Sequence, residues 1–332
     1  YDSLGRPTRR SLPHDPSGSP SWATTAYDDL DRVTMAISAA GATTRTTYAG
    51  LDTQITDPLG RTTHRISDLR GRTVRTIDAL GGQTTFEFDA AERAVATTNA
   101  LHQRITQTYD DAGRRITLDD PSMGHWTYAY STHDELIRQV DGAGREILMT
   151  YDALGRPLAK TAGPDVARWS YDGPGAIGKV ARSSLGPRRQ RTYTYDRYGR
   201  LARSVATIGR DMISVAHAYD AYGRPTINTY STGVKVTNGY DADGFWRTVD
   251  VEDGGKSRRV YETTEADIAG RVTREALGNG VETRQAYDAL SGRLERSKST
   301  GRDGQAILDV RLGYDIVGNV TARGESVTGA SE

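Results

Sequence analysis

The stretch TYDALGRPLAK, residues 150–160, contains the pattern that decides the fold: tyrosine, aspartate, two variable residues, glycine and arginine. The pattern returns as YDSLGRP, YDDAGRR, YDRYGRL and YDAYGRP. An aspartate at the start of a turn can accept a backbone N–H two residues on, and a glycine adopts positive φ without a steric penalty. The pattern therefore predicts a type I turn closed by a glycine bulge, a common hairpin connection.

The residue before each turn recurs with a basic period of 21, as in the steps from Phe88 to Tyr109, Tyr130 and Tyr151. Insertions of three to six residues lengthen some later steps. We call these residues anchors: Tyr1, Tyr27, Tyr48, Ser67, Phe88, Tyr109, Tyr130, Tyr151, Tyr171, Tyr195, Tyr219, Tyr240, Ala266, Tyr287 and Tyr314. A fixed period of this kind indicates a repeat protein, and we expect one array of about fifteen units over residues 1–332.

A second, weaker turn lies between the anchors, and it also repeats every 21 residues, starting at Asp57, Asp78, Asn99, Asp120 and Asp141. Each unit thus has two halves of about ten residues, which suits one strand and a tight turn but is too short for a helix with its connection. The segments between turns, such as TTHRIS, RTVRTI and QTTFEF, contain the Thr, Ile, Val and Phe that favour strands.

The motif residues are predicted to join neighbouring units, because the period brings each anchor ring to the equivalent site two strands along. Tyrosines would form a ladder with arginine side chains lying across them. The structural motif residues are Tyr1, Asp2, Gly5, Arg6, Tyr109, Asp110, Gly113, Arg114, Tyr151, Asp152, Gly155, Arg156, Tyr195, Asp196, Gly199, Arg200, Tyr219, Asp220, Gly223 and Arg224.

Composition limits the function classes. The 332 residues carry a formal net charge of zero, so bulk charge gives no reason to expect nucleic acid or an anionic membrane as a partner. The absence of cysteine excludes disulfides, zinc-thiolate sites and thiol catalysis. No apolar run is long enough to cross a membrane as a helix. The chain opens on Tyr1 without an initiator methionine or a leader, so we expect a fragment of a longer protein.

Size adds a constraint, because about thirty strands at about 4.8 Å each would span on the order of 150 Å of sheet. An open flat sheet of that width is implausible, so the antiparallel ribbon must coil. Its first and last strands would lack partners, and the isolated segment is expected to dimerise or aggregate.

YDALGRPL, YDDAGRRI, YDAYGRPT and the alternating DPLGRTT resemble the YD repeats of Rhs proteins, bacterial insecticidal Tc toxin components and teneurins. The resemblance covers the chain from Tyr1 to about Gly318. It implies an all-β fold in which hairpins coil into part of a hollow β-shell or β-solenoid. In the bacterial toxins such a shell encloses a variable C-terminal toxic domain, so the resemblance implies a container or scaffold. It does not imply an active site within the repeats.

Four features suggest other chemistry. Gly173 to Lys179 matches phosphate-loop and dinucleotide patterns, but Val180 follows the lysine and a strand, not a helix, is expected next. His125 and His133 are the closest pair among scattered histidines, at a spacing typical of no closed zinc motif. Asp119 and Asp120 are adjacent carboxylates, and the run GPRRQR from Gly186 could contact an anionic partner. Turn chemistry or solvated hairpin tips explain all four more simply.

The sequence thus predicts a non-enzymatic segment of an Rhs-type β-shell, with no catalytic residue, cofactor or metal. Its partners would be further YD repeats of its own chain and an enclosed toxin domain, in an exported, secreted or cell-surface bacterial protein. One alternative is an adhesion module whose exposed aromatic residues bind surface glycans. Another is a hydrolase built from turn carboxylates of different units.

Overall fold

The computed structural model describes residues 1–14 and 19–327, and these residues form 29 β-strands and no helix. The all-β prediction is confirmed. The strands are β1 Arg9–Ser11, β2 Trp22–Tyr27, β3 Val33–Ile37, β4 Thr43–Ala49, β5 Asp52–Thr56, β6 Thr62–Ser67, β7 Thr73–Ile77, β8 Gln83–Phe88, β9 Ala94–Thr98, β10 Arg104–Tyr109, β11 Arg115–Asp120, β12 Gly124–Tyr130, β13 Leu136–Val140, β14 Glu146–Tyr151, β15 Pro157–Ala162, β16 Asp165–Tyr171, β17 Val180–Leu185, β18 Arg189–Tyr195, β19 Leu201–Ile208, β20 Asp211–Tyr219, β21 Pro225–Tyr230, β22 Lys235–Tyr240, β23 Trp246–Asp253, β24 Lys256–Ala266, β25 Val272–Leu277, β26 Glu282–Tyr287, β27 Leu294–Thr300, β28 Ala306–Tyr314 and β29 Val320–Glu325.

The chain divides into two compact units. The first contains Tyr1–Gln83, Asn238–Asp250 and Ser257–Glu332, and the second contains Thr84–Thr237 and Val251–Lys256. In the first unit β1 to β7 pair in sequence order, as do β24 to β29. In the second unit β8 to β22 pair in the same way. All these pairs are antiparallel, so each unit is a meander of hairpins.

Most anchors end their strands at a β-bulge, although Tyr48 lies inside β4 and pairs without a register shift. The register of the pairing shifts between Thr108 and Tyr109, between Ala129 and Tyr130, and again between Thr150 and Tyr151. An extra residue at a bulge bends the strand and increases its local twist. The repeat therefore gives the ribbon a recurrent bend at the strand ends that carry the bulge, as the glycine-bulge turn predicts.

Inserted residues in the later repeats lengthen hairpins and leave the order of strands unchanged. β20 has 9 residues, β24 has 11 and β28 has 9, compared with 6 in β6, β8 and β10. Because the extra residues extend paired strands, the turn chemistry at their ends is preserved.

The interior is thin. Among the described residues only Ala96, Leu118 and Ala176 are buried apolar side chains, and all three belong to the second unit. Aspartate and threonine side chains are buried as well, including Asp141 and Asp309. Stability must therefore come largely from strand pairing and from contacts at the turns, which agrees with the polar composition.

Candidate functional site

The turn Asp152–Arg156 shows how the motif closes a hairpin. The backbone N–H of Asp152 donates to the Arg156 carbonyl oxygen at 3.0 Å, and the Gly155 N–H donates to the Asp152 carbonyl oxygen at 3.0 Å. Asp152 Oδ1 accepts the N–H of Leu154 at 2.9 Å and that of Arg156 at 3.0 Å. Gly155 has φ of 74°. The predicted roles of the aspartate and the glycine in the turn are confirmed at this position.

Arg156 also links this turn to the next repeat. Its Nε donates to Asp152 Oδ2 at 2.7 Å, while its two terminal nitrogens donate to the Asp172 carboxylate at 3.1 and 2.7 Å. The guanidinium carbon lies 4.4 Å from the centre of the Tyr171 ring. The Tyr171 hydroxyl donates back to the Pro157 carbonyl oxygen at 2.8 Å. We call this arrangement of turn aspartate, arginine and following tyrosine the clamp.

The charges within the clamp stabilise one another. The hydrogen bond from the Arg156 side chain, followed by that from its backbone N–H, lowers the pKa of Asp152, and burial opposes these effects. The two aspartates, Asp172 first, raise the pKa of Arg156. Each carboxylate is thus held ionised by hydrogen bonds made inside its own turn or to the neighbouring one. The arrangement is suited to connecting repeats and leaves no carboxylate positioned as a proton donor.

The clamp recurs through the chain. Arginine lies over the following anchor ring in Arg6–Tyr27, Arg32–Tyr48, Arg93–Tyr109, Arg114–Tyr130, Arg156–Tyr171, Arg200–Tyr219, Arg271–Tyr287 and Arg293–Tyr314. The anchor hydroxyl donates to a backbone carbonyl oxygen in Tyr27, Tyr48, Tyr109, Tyr130, Tyr151, Tyr171, Tyr195, Tyr219 and Tyr314. These contacts form the ladder of tyrosine and arginine that the 21-residue period predicts.

The motif residues lie in this ladder with some variation. Asp2–Arg6, Asp110–Arg114, Asp196–Arg200 and Asp220–Arg224 form the same turn with its aspartate–arginine ion pair. Tyr1 has an exposed ring. Their role in holding the repeats together remains a prediction that the variants below would test.

Asp31 and Asp134 replace the turn glycine, although both adopt positive φ, at 61° and 66°. Such a backbone costs a residue with a Cβ about 1 kcal/mol or more. Each aspartate pairs with the arginine of the preceding turn, Asp31 with Arg6 at 2.6 Å and Asp134 with Arg114 at 2.8 Å. The aspartate therefore has a more strained backbone than glycine would have, but it adds an ion pair to the clamp.

The clamp arginine and the tyrosine of the next anchor are both absent at two places in the chain, whereas at Glu135 only the arginine is replaced and the next anchor is Tyr151. After Tyr48 the chain turns through Gly50 without an aspartate–arginine pair, and the next anchor is Ser67. Phe245 occupies the arginine position of its turn, and the next anchor is Ala266.

The glycine-rich segment after Tyr171 is an enlarged turn. Asp172 N–H donates to the Lys179 carbonyl oxygen at 3.0 Å, and Asp172 Oδ1 accepts the Gly178 N–H at 2.7 Å. Strand β17 begins immediately afterwards, at Val180. The strand expected in place of a phosphate-binding helix is therefore confirmed.

The histidines and adjacent carboxylates occupy separate local contacts. His125 Nδ1 lies 2.6 Å from Asp119 Oδ1, whereas His133 contacts Thr132. Asp120 accepts the N–H groups of its own turn. Across residues 1–14 and 19–327 no three His, Asp or Glu side chains are grouped as metal ligands would be. Within the same residues, no helix is long and apolar enough to cross a membrane.

The fold and the clamp define an all-β YD-repeat protein. The model of the Teneurin YD-shell family matches residues 52–242, and the chain belongs to this family. No curated protein matches it in sequence.

Solved structures share the fold. The chain matches TcdB2-TccC3 without its hypervariable C-terminal region at 18% identity, with a TM-score of 0.87, over 98% of this chain and 19% of that one. It matches the Photorhabdus luminescens Tc holotoxin pore at 18% identity, with a TM-score of 0.81, over 92% of this chain and 18% of that one. The chain thus spans about a fifth of the length of these proteins.

Proposed function

We propose that this chain is a non-enzymatic wall segment of a β-shell that encloses a toxin domain carried by the same polypeptide. The observation that carries the proposal is the clamp, because at Arg156 and at the equivalent arginines it links a turn to the next repeat along the ribbon. A wall needs such regular links between neighbours more than it needs a thick core. Membership of the Teneurin YD-shell family and the shared fold of the Tc toxin structures support it.

The mechanism would be enclosure. One solved relative is TcdB2-TccC3 without its hypervariable C-terminal region, and a variable region of that kind is the class of cargo we expect. Further YD repeats of the same polypeptide would complete the wall, and the assembled protein would act as an exported bacterial toxin component, secreted or at the cell surface.

Turn carboxylates give little support to a hydrolase. In the described part of the chain, aspartates such as Asp152 and Asp220 are bonded to the arginine of their own turn, and their pKa values are lowered. A general acid needs a carboxyl whose pKa is raised towards neutrality.

Adhesion through the anchor rings is also weakly supported. The ring faces of Tyr109, Tyr130 and Tyr171 are covered by arginines, and their hydroxyl groups are bonded to backbone carbonyls.

A protease-protection assay on the full-length polypeptide tests enclosure. Cargo cleavage would be compared between the wild type, a deletion of residues 1–332, and Arg156→Gln combined with Arg114→Gln. We expect the deletion to expose the cargo fully and the clamp variant to shorten its half-life severalfold.

Arg145→Gln provides the matched control, because this arginine pairs only with its own turn aspartate among the described residues. Its cargo should stay as protected as in the wild type. Equal protection of the cargo in the wild type and the deletion would rule out a wall function for the segment.

A further inference from the structure

The hairpins β17–β18 and β19–β20 end side by side in the second unit. Gly209, in the turn of the second hairpin, donates its N–H to the Arg188 carbonyl oxygen in the turn of the first, at 2.8 Å. The cross-strand row of Leu185, Arg189 and Ile208 runs through both hairpins. The two ends therefore form one surface. We call it the basic tip, and it consists of residues 185–191 and 208–213.

The second of these hairpins is longer than its neighbour on the other side. Strand β20 pairs with β21 from Val215, which lies opposite Tyr230, whereas its pairing with β19 continues to Asp211, opposite Ile208. Residues 208–213 are all exposed. The end of this hairpin therefore projects past β21, and solvent reaches it on both faces.

Large apolar side chains lie on both faces of this projecting end. Ile208 is 54% exposed, Met212 is 65% exposed and Ile213 is 53% exposed. Ile208 lies opposite Asp211, which is two residues from Ile213, so the two isoleucines share one face of the sheet. Met212 lies on the opposite face. A flat partner would cover one of these faces, whereas a lipid interface can surround the tip and cover both.

The basic tip also carries guanidinium groups without partners. Its four arginines are Arg188, Arg189, Arg191 and Arg210. All four are exposed, and in the described part of the chain none of them makes an ion pair or a hydrogen bond through its side chain. Residues 156–210 contain twelve lysines and arginines but three acidic residues. The zero net charge of the whole chain therefore conceals one strongly basic region.

A shallow cavity of about 400 Å³ lies next to the basic tip, on one face of β16 to β19. Leu185, Arg189 and Ile208 belong to its lining as well as to the tip, and Trp169 and Arg191 complete this side of it. Tryptophan is enriched at the headgroup level of membrane interfaces. The apolar and basic surface therefore continues from the tip onto one face of the sheet.

These features together favour an anionic lipid surface as the partner. Each lysine or arginine held near such a surface strengthens binding by about fivefold, and apolar side chains that enter the headgroup layer add to it. Arginine stems can lie along apolar neighbours while their guanidinium groups reach the headgroups. An acidic peptide would pair with the arginines but would leave the apolar side chains of one face uncovered. The polar backbone of the turns requires water or headgroup partners, so entry would be shallow.

We propose that the basic tip binds the surface of a membrane that contains anionic lipids, with Ile208, Met212 and Ile213 in the headgroup layer and the arginines on the lipid headgroups. This surface is separate from the clamp, and the proposal does not depend on whether the shell encloses a toxin.

Flotation of the full-length polypeptide with lipid vesicles tests the proposal. One set of vesicles consists of phosphatidylcholine alone, and the other contains about one third phosphatidylglycerol as the anionic lipid. We expect flotation with the anionic vesicles only. Soluble polyglutamate at the same charge concentration should leave most of the protein bound, because it offers no apolar layer.

Variants of the tip separate the charge from the apolar contact. Arg188→Gln and Arg210→Gln should each weaken binding about fivefold, and Arg188→Lys should retain it because the charge remains. Ile208→Ser and Met212→Ser should each weaken binding about fivefold, because each removes an apolar side chain from the headgroup layer on its own face. A loss with Ile208→Ser but none with Met212→Ser would indicate a flat partner and would overturn the proposal.

Arg65→Gln and Leu80→Ser are the matched controls. Arg65 is exposed on β6 and Leu80 is 98% exposed in the turn between β7 and β8, so the same losses of charge and apolar surface occur away from the tip. Their binding should stay within about twofold of the wild type. Losses as large as those of the tip variants would overturn the proposal. Equal flotation with neutral vesicles, complete displacement by polyglutamate, or no flotation with anionic vesicles would do so too.

Discussion

Two turns at opposite ends of strand β14 have almost the same sequence and different surroundings. DGAGR, from Asp141 to Arg145, precedes the strand, and DALGR, from Asp152 to Arg156, follows it. In both turns the aspartate accepts the arginine N–H, at 2.9 and 3.0 Å, and the arginine Nε, at 2.6 and 2.7 Å. Locally the two turns are equivalent.

Their arginines nevertheless differ in exposure, since the Arg145 side chain is 80% exposed and that of Arg156 is 23% exposed. Arg156 lies over Tyr171 and pairs with Asp172, which belong to the next turn on its edge of the ribbon. The next turn on the edge of Arg145 follows Ala162 and offers no aromatic anchor. A turn motif therefore makes a hairpin anywhere, but it becomes a clamp only where the next repeat supplies its partners.

The largest expected effect is unfolding in acid, and it should not distinguish the two turns. The pKa is lowered for fifteen turn aspartates among the described residues: Asp2, Asp28, Asp57, Asp68, Asp89, Asp110, Asp141, Asp152, Asp172, Asp196, Asp220, Asp241, Asp267, Asp288 and Asp315. A carboxyl whose pKa is lower in the folded than in the unfolded state, where it is about 3.9, stabilises the protein above that value. This contribution is lost as the pH falls through the folded-state pKa.

Thermal melts followed by circular dichroism should show a nearly constant Tm from about pH 8 to pH 5 and a steep fall below about pH 4. Asp141→Asn and Asp152→Asn should each reduce the acid-dependent loss to a similar extent. A Tm that is insensitive to pH down to about 2 would contradict the assignment of these carboxylates to stability.

Removing the clamp ring should have the next largest effect. Tyr171→Ala deletes the surface on which Arg156 lies and the hydrogen bond to Pro157, so we expect a loss of about 2–3 kcal/mol in the free energy of unfolding. Tyr171→Phe keeps the ring and should cost about 1 kcal/mol. Denaturant titration measures both, and equal losses would show that the hydroxyl alone carries the contact.

Changing the two arginines tests the comparison directly. Arg156→Gln should lower the Tm by several degrees, because it removes the contacts to Asp172 and Tyr171 together with those of its own turn. Arg145→Gln removes only the ion pair within its own turn. Because the Arg145 side chain is largely exposed to solvent, this variant should lower the Tm much less. Similar shifts for the two variants in the same calorimetric scan would mean that the clamp adds nothing to the turn.

The smallest expected difference is between the two turn glycines. Gly144 and Gly155 have φ of 75° and 74°, and a Cβ would meet nothing within 4 Å at Gly144 and only a Glu135 carboxylate oxygen at 3.6 Å at Gly155. Gly144→Ala and Gly155→Ala should therefore each cost about 1 kcal/mol, from backbone strain alone. A much larger loss at Gly155, measured in denaturant, would show that the clamp depends on the geometry of its own turn.

Much of the fold was predictable because its determinants are local. The aspartate and the glycine of Asp152–Gly155 specify a turn through bonds that span at most four residues. The 21-residue period fixes which strands follow one another, and it also predicts arginine over tyrosine. The division into two compact units was not predictable, since it depends on contacts between distant segments of the chain.

The cavity formed by β16 to β19 could not be predicted from the sequence. The run GPRRQR was interpreted most simply as a solvated hairpin tip, and the sequence could not show that Arg189 and Arg191 share a face with Trp169, some twenty residues away. That proximity depends on the register of four strands. A shift of one residue in one strand would move its side chains to the opposite face of the sheet.

The sequence by itself determined the hairpins, their period and the residues able to form a clamp, because turn chemistry acts over a few bonds. Only the tertiary structure decided that Arg156 is clamped while Arg145 is exposed, and that two arginines of β18 line a cavity with Trp169. The physical reason is that these properties belong to neighbours across strands, and identical local sequences acquire different partners there.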